Sequence, residues 1–293
     1  MWLVCGGSGL LGGRLVANLI EERSAILVLN SRGVSLVQSS RTNQVSGANM
    51  QPDMFDRVFE HYNVDVVVNT IGATDVDRCE LDPSYADLLN VTIPKSLSDA
   101  CVRHGCYFIN VCTDQLFAGS NKLFDENHDK RPVNYYGVTK ALAEDEILSS
   151  NSRALSIRTN FFGKGIQRNS YSDYLMECLL SKHVLKLRTD VVFNPVSLSV
   201  LAGSLRFLCE KQSIFGKLNI GSKNIVSKYE FGCLVAECAG LDWSRIVPVS
   251  GKFDNQVAER ALAMSLDVKL AEETFGCSMP SVREMLIEEY DFC

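Results

Sequence analysis

The chain begins MWLVCGGSGLLGGRLVANLI, an apolar run that halts on Gly6, Gly9 and Gly12 and resumes with helical spacing. Few folds need glycines in that pattern. A strand turning sharply into a helix needs Gly6 for the turn. Gly9 lets the backbone approach a pyrophosphate with no Cβ in the way, and Gly12 lets the helix lie close to the sheet. The free N–H groups of the helix's first turn then offer a partial positive charge to a phosphate. With no basic residues ahead of the apolar run and glycines interrupting it, the segment is expected to be a strand and loop rather than a secretion signal.

Three glycines alone are weak evidence, and the pattern that follows gives them weight. The runs WLVC (2–5), AILVLN (25–30), VDVVVNTIG (64–72), CYFINVCT (106–113) and ALSIRT (154–159) predict buried strands. Residues 10–21, 53–62, 84–104 and 134–150 predict helices between them. Such alternation predicts an α/β fold, a doubly wound parallel sheet forming a Rossmann dinucleotide-binding domain over residues 1–160. Beyond that point helices dominate, at 171–182, 196–211, 228–240, 254–263 and 280–290, with short strands at 185–188 and 217–220. A smaller, mainly helical, discontinuous substrate-binding part is expected over 161–293, with segments around 190–225 returning to the first domain.

A net charge of −6 without a lysine- or arginine-rich block argues against a nucleic-acid partner. No stretch approaches ~18 consecutive apolar residues, so no membrane span is expected. The eleven cysteines are odd in number and lack CxxC spacing, which predicts a reduced, cytoplasmic chain rather than a disulfide framework or a thiolate metal site. The run DENHDK (125–130) reads as a solvated loop.

The segment NYYGVTK puts Tyr136 four residues before Lys140, on one face of a helix. A phenol with its ordinary pKa of about 10 exchanges protons poorly at neutral pH, and a neighbouring ammonium is expected to lower that value. Lys140 can also hydrogen-bond a ribose hydroxyl of a nicotinamide cofactor. Thr113 closes the apolar run CYFINVCT, so its hydroxyl is expected in the crevice at the strand's carboxyl end, where it can clamp a carbonyl oxygen. Tyr135, five places from Lys140, is expected to pack.

No Asp or Glu lies between Glu22 and Asp53, where an NAD site usually keeps a carboxylate for the ribose 2′-hydroxyl. The second strand instead runs into Asn30-Ser31-Arg32. A hydroxyl and a guanidinium suit a 2′-phosphate, so NADP(H) is expected over NAD(H).

These residues resemble the extended short-chain dehydrogenase/reductase superfamily, and more narrowly the dTDP-4-dehydrorhamnose reductase family. The likeness runs through VVVNTIGATDVDRCELDP (66–83), Asn90-Val91, TDQLFAG (113–119), YYGVTKALAE (135–144) and SIRTNFFG (156–163). It continues through Pro195, Ser227-x-Tyr229-Glu230-Phe231, Arg260 and Ser265-Leu266-Asp267. The resemblance implies reduction of the 4-keto group of a nucleotide-linked 6-deoxysugar, with Thr113 polarising the keto oxygen, Tyr136 protonating it and Lys140 holding tyrosine and cofactor. Implied cofactor contacts are Gly6, Gly9, Leu10, Leu11, Gly12, Ser31, Arg32, Ile71, Gly72, Ala73, Asn90, Tyr136 and Lys140. Implied substrate contacts are Thr74, Asp114, Gln115, Asn160, Phe161, Pro195 and Arg260, and the family also allows a homodimer.

Some positions depart from the family pattern. Ala73 stands where a tyrosine is common, and DVVFNPV (190–196) replaces an Asp-Gln-x-Gly-x-Pro-Thr run that contributes to the sugar pocket. Arg14 stands where some bacterial members carry a metal-binding glutamate, so no metal is expected. Gln115 occupies the place of a dehydratase's catalytic acid, and an amide cannot act there as acid or base. An epimerase, or a non-catalytic NADP-binding subunit like the regulatory β subunit of methionine adenosyltransferase, are the competing readings. Asp77 and Glu80 suit substrate orientation, capping or surface pairing alike.

Overall fold

A computed structural model describes residues 1–21, 26–30, 42–46, 52–119, 122–166, 168–251 and 256–292. Ser31 and Arg32 therefore lie outside the described residues. The strands are β1 (Trp2–Cys5), β2 (Ile26–Asn30), β3 (Thr42–Ser46), β4 (Val66–Asn69), β5 (Tyr107–Val111), β6 (Ala154–Thr159), β7 (Phe161–Phe162), β8 (Leu185–Arg188), β9 (Val192–Phe193), β10 (Val196–Ser197), β11 (Gly216–Ile220), β12 (Val226–Ser227) and β13 (Ile246–Val249). Among the described residues seven of them form one sheet in the order β11-β6-β5-β4-β1-β2-β3, and every pairing in it is parallel.

Side-chain alternation explains why this sheet is covered on both faces. Along β1, Val4 joins one apolar layer while Leu3 and Cys5 join the other. Phe108 and its neighbours Tyr107 and Ile109 divide the same way on β5. The first layer receives α1 (Leu10–Glu21) through Leu11, Leu15 and Leu19. The second receives α2 (Pro52–His61) through Phe55 and Phe59. Between β4 and β5 come α3 (Val76–Leu81), α4 (Pro83–Asp87), one π-helical turn at Leu88–Thr92, and α5 (Ile93–His104), which packs Leu97 and Cys101 into the second layer. There α6 (Tyr135–Ser150) adds Ala143 and Ile147.

The later helices are α7 (Tyr171–Leu180), α8 (Leu198–Lys211), α9 (Lys228–Cys238), α10 (Lys269–Phe275) and α11 (Val282–Tyr290). Ser170 with Asp173, Ser227 with Glu230, and Ser281 with Glu284 form reciprocal capping boxes that start α7, α9 and α11. Short two-strand pairings, β7 with β10, β9 with β12 and β8 with β13, lie outside the main sheet.

Two expectations need correction. Of the helix expected over 254–263, the described residues 256–263 are irregular, because tertiary partners take their backbone groups. Ala258 N–H donates to Asp77 at 2.9 Å, and the Leu262 carbonyl accepts from Val192 N–H at 2.7 Å. Helix α10 and strand β3 were not expected from sequence. The 125–130 run is only partly solvated, since the Glu126 carboxylate turns inward to accept from Asn219 N–H at 2.9 Å.

No helix among the described residues is long and apolar enough to cross a membrane. The ten described cysteines are free thiols.

Candidate active site

Helix α1 follows β1 on one face of the sheet, and α5 follows β4 on the other. Because β1 and β4 are neighbours, the winding reverses between them and a crevice opens beyond their carboxyl ends. Gly6 makes the turn at a φ of +90°, where a Cβ would come within 2.7 Å of Thr70 Oγ1. A Cβ on Gly12 would sit 2.2 Å from the Gly6 carbonyl oxygen. The elbow from strand to helix therefore tolerates no side chain at either position.

The other lip is the strap Ile71–Ala73. Asn69 on β4 donates to Asn110 at 2.8 Å and accepts from Ile71 N–H at 3.1 Å. Asn90, in the π-helical turn, accepts from Ala73 N–H at 2.8 Å and donates to the Ala73 carbonyl at 3.2 Å and to Thr139 Oγ1 at 3.0 Å. Its amide is thus engaged with the protein, tying the strap to α6. A Cβ on Gly72 would lie 4.0 Å from Lys140 Nζ, so strap and lysine share the crevice.

Asn134 caps α6 by accepting from Gly137 N–H at 2.9 Å, which sets the helix's rotation and turns Tyr136 and Lys140 inward. Thr113, just past β5, brings its hydroxyl to the Tyr136 phenol. The same hydroxyl donates to Asp114 at 3.2 Å and accepts from Gln115 N–H at 3.2 Å. Burial pushes the Tyr136 phenol well above the usual tyrosine range, and the Thr113 hydroxyl works against that rise. The expected acidification of the phenol is not found, because desolvation dominates and the Lys140 ammonium donates instead to the Val111 carbonyl at 2.7 Å.

A buried ion pair sits behind this helix. Arg158 on β6 grips Glu144 with bonds of 3.0 and 2.6 Å, and Ser156 adds a third at 2.8 Å. Burial raises the Glu144 carboxyl, but Arg158, Lys130 and Ser156 outweigh it and hold the group below its ordinary value.

Beside Thr113 and Asp114 opens a cavity of about 490 Å³. Thr74, Gln115, Asn160 and Arg260 line it, as the sequence suggested. Asn160 donates to Asp114 at 3.0 Å, and burial raises that carboxyl to about 6 while Lys228 and Asn160 oppose the rise. Phe161 and Pro195 do not reach the cavity: Phe161 packs on the main core and Pro195 is buried between β9 and β10. Arg260 reaches it while ion-paired to Asp77 at 2.9 Å, which gives Asp77 a pairing role. Glu80 accepts from Tyr135 N–H at 2.9 Å, and the Tyr135 hydroxyl donates to Asp87 at 3.0 Å rather than merely packing.

Sequence reasoning passed over Tyr171, Lys186, Arg188 and Lys228, which also line the cavity. The capping box around Ser227 and Glu230 marks Lys228 as the first residue of a helix, but no local pattern says what that residue faces.

The family model described as the RmlD substrate binding domain matches residues 1–291. A probable low-salt glycan biosynthesis reductase, Agl14, from Haloferax volcanii is 27% identical over 289 residues, 97% of this chain and 95% of that protein. The dTDP-4-dehydrorhamnose reductase of Bacillus anthracis, solved in complex with NADP, superposes with a TM-score of 0.87 at 19% identity, covering 99% of this chain and 98% of that one. A chain named MoeE5, solved with UDP-glucuronic acid and NAD, gives 0.83 at 21% identity, covering 99% and 97%. At such identities the two solved structures speak to the fold.

Proposed function

The chain belongs to the RmlD substrate-binding domain family, and on that premise we propose that it is an NADPH-dependent reductase of the 4-keto group of a nucleotide-linked 6-deoxysugar. One observation carries the reading: the Thr113 hydroxyl meets the Tyr136 phenol beside the cavity, and Lys140 stands behind them at the strap. The tight glycine elbow, which admits no Cβ on Gly6 or Gly12, supports a phosphate-binding turn at the start of α1.

A bound nicotinamide would supply the hydride, and the chain's own residues do the rest. Gly6, Gly9 and Gly12, with Leu10 and Leu11 opening α1, cradle the phosphates. Ile71, Gly72 and Ala73 form the opposite lip, held by Asn90. Lys140 takes a ribose hydroxyl. The single Thr113 O–H, turning from Asp114, donates to the keto oxygen as negative charge gathers there. Tyr136 then delivers its proton to that oxygen. A phenol held high by burial is fully protonated at neutral pH, and the alkoxide it meets is far more basic, so the transfer runs downhill. Thr74, Gln115 and Asn160 face the sugar.

The preference for NADP(H) over NAD(H) rests on Ser31 and Arg32 and on the missing carboxylate between Glu22 and Asp53. Arg32→Glu is expected to raise the KM for NADPH strongly, and an unchanged value refutes the preference. The reductase reading itself is tested by incubating the protein with NADPH and a panel of 4-keto-6-deoxy nucleotide sugars. Stoichiometric loss of NADPH supports reduction. Substrate turnover without NADPH loss points to epimerisation instead.

A further inference from the structure

Among the described residues, four cations reach the cavity; Lys186 is exposed to solvent, and Lys228 differs both from it and from the two arginines. Arg188 holds Asp190 with two bonds of 2.7 and 2.8 Å, and Arg260 holds Asp77. The Lys228 ammonium instead lies 3.6 Å from the centre of the Phe193 ring and 4.7 Å from that of Tyr171. Among the described residues, no carboxylate or carbonyl lies within hydrogen-bonding distance of it.

An ammonium carries three strong donors, and an aromatic face stabilises its charge without accepting those donors as an oxygen would. Nearby oxygens are already engaged. Asp114, whose charge acts on Lys228, accepts from Thr113 through one oxygen and from Asn160 through the other. The helix start is not a free anion site either, since Lys228 N–H donates to the Val191 carbonyl and Ser227 with Glu230 closes the first turn. Burial lowers the ammonium to about 8, which leaves it charged at neutral pH. In a chain of net charge −6, such a cation draws an anion into the cavity locally, against the overall field.

We propose that Lys228 is the specificity-determining cation of the pocket and binds an anionic oxygen group of the nucleotide sugar, either a phosphate oxygen or a carboxylate carried by the sugar. The proposal rests on the reading of this cavity as a nucleotide-sugar site. Its position beside Asp114 and Asn160, one residue from Thr113, ties recognition of that charge to placement of the sugar at the reacting hydroxyls. The two aromatic rings fix where the half-buried ammonium sits, so a substrate lacking the anion forgoes a charge-assisted hydrogen bond there.

The test is calorimetric titration of the full chain, wild type, Lys228→Met and Lys228→Arg, with dTDP, UDP-glucose and UDP-glucuronic acid. Loss of a charge-assisted hydrogen bond predicts about 10- to 100-fold weaker binding in Lys228→Met. Lys228→Arg keeps the charge and is expected to retain most of the affinity. An equal loss for all three ligands assigns the anion to the diphosphate, whereas a loss confined to UDP-glucuronic acid assigns it to the sugar carboxylate. Unchanged affinities in Lys228→Met overturn the proposal, with or without a lowered Tm. A lowered Tm in that case assigns the lysine to packing against Phe193 and Tyr171. A wild type that binds none of the three also overturns it. Binding needs no turnover, so a protein that shows the Lys228 effect yet never consumes NADPH fails as a reductase while this assignment stands.

Discussion

The polar groups behind the amino-terminal crevice hold one another. Lys140 donates to the Val111 carbonyl, Asn90 clamps both backbone groups of Ala73, and Glu144 is locked by Arg158 and Ser156. The cavity wall contributed after β6 is assembled differently. Its half-buried Lys228 faces two aromatic rings, and its arginines pair with Asp190 and Asp77. The first region is preorganised for one geometry. The second keeps donor capacity for whatever enters. That division suits an enzyme whose chemical step is fixed while its substrate choice is carried by a separate surface.

The sharpest way to break the comparison is to remove the proton donor and leave the wall intact. Tyr136→Phe is expected to lower kcat by about 10²- to 10⁴-fold, the usual scale of a lost general acid. Binding of the nucleotide sugar, measured by calorimetry, should stay close to wild type. A variant with full kcat removes Tyr136 from the chemistry and returns the chain to the non-catalytic reading.

Next in size is the ion pair that seats α6. Glu144→Ala leaves the Arg158 guanidinium, 1% exposed, without its carboxylate. Breaking such a pair is expected to cost about 3–5 kcal/mol in urea unfolding. The double change Glu144→Leu with Arg158→Met removes both charges together and should recover much of that loss. A single variant of unchanged stability would mean that the amino-terminal region is not held in the way its hydrogen bonds indicate.

The two regions also differ in how far sequence alone reveals them. The parallel sheet, the glycine elbow and the start of α6 follow from short-range signals: short apolar runs between helical stretches, a turn that only glycine fits, and the helical spacing of Tyr136 and Lys140. Strand β3, TNQVS, carries a single apolar residue and pairs at the sheet's edge, so hydrophobic pattern had nothing to register. Of the helix expected over 254–263, residues 256–263 are irregular because Asp77 and Val192 compete for their backbone, and neither partner is near in sequence. Phe161 and Lys228 show the same limit from opposite sides. Phe161 lies in a recognisable motif yet faces the core, while Lys228 opens an ordinary helix yet faces the cavity. Which way a side chain points across two packed elements is a tertiary fact.

Asp114 is the seam between the regions, since it follows β5, accepts from Asn160 beyond β6 and feels the charge of Lys228 on α9. Burial raises its carboxyl to about 6, against about 3.9 for an unfolded chain. As pH falls from about 6 toward about 4, the folded protein therefore takes up a proton that the unfolded chain does not, so the stability this group costs above the window is recovered through it. Urea unfolding across the window should show wild type gaining on Asp114→Asn as pH falls, by no more than roughly 3 kcal/mol in all. A pH-independent difference would mean that water reaches the carboxylate and the seam is open. Because the Lys228 charge holds Asp114 down, Lys228→Met should move the same titration to higher pH. That shift, smaller than the others, would show that the wall acts electrostatically on the residue beside Thr113. Its absence would leave the two regions joined by packing alone.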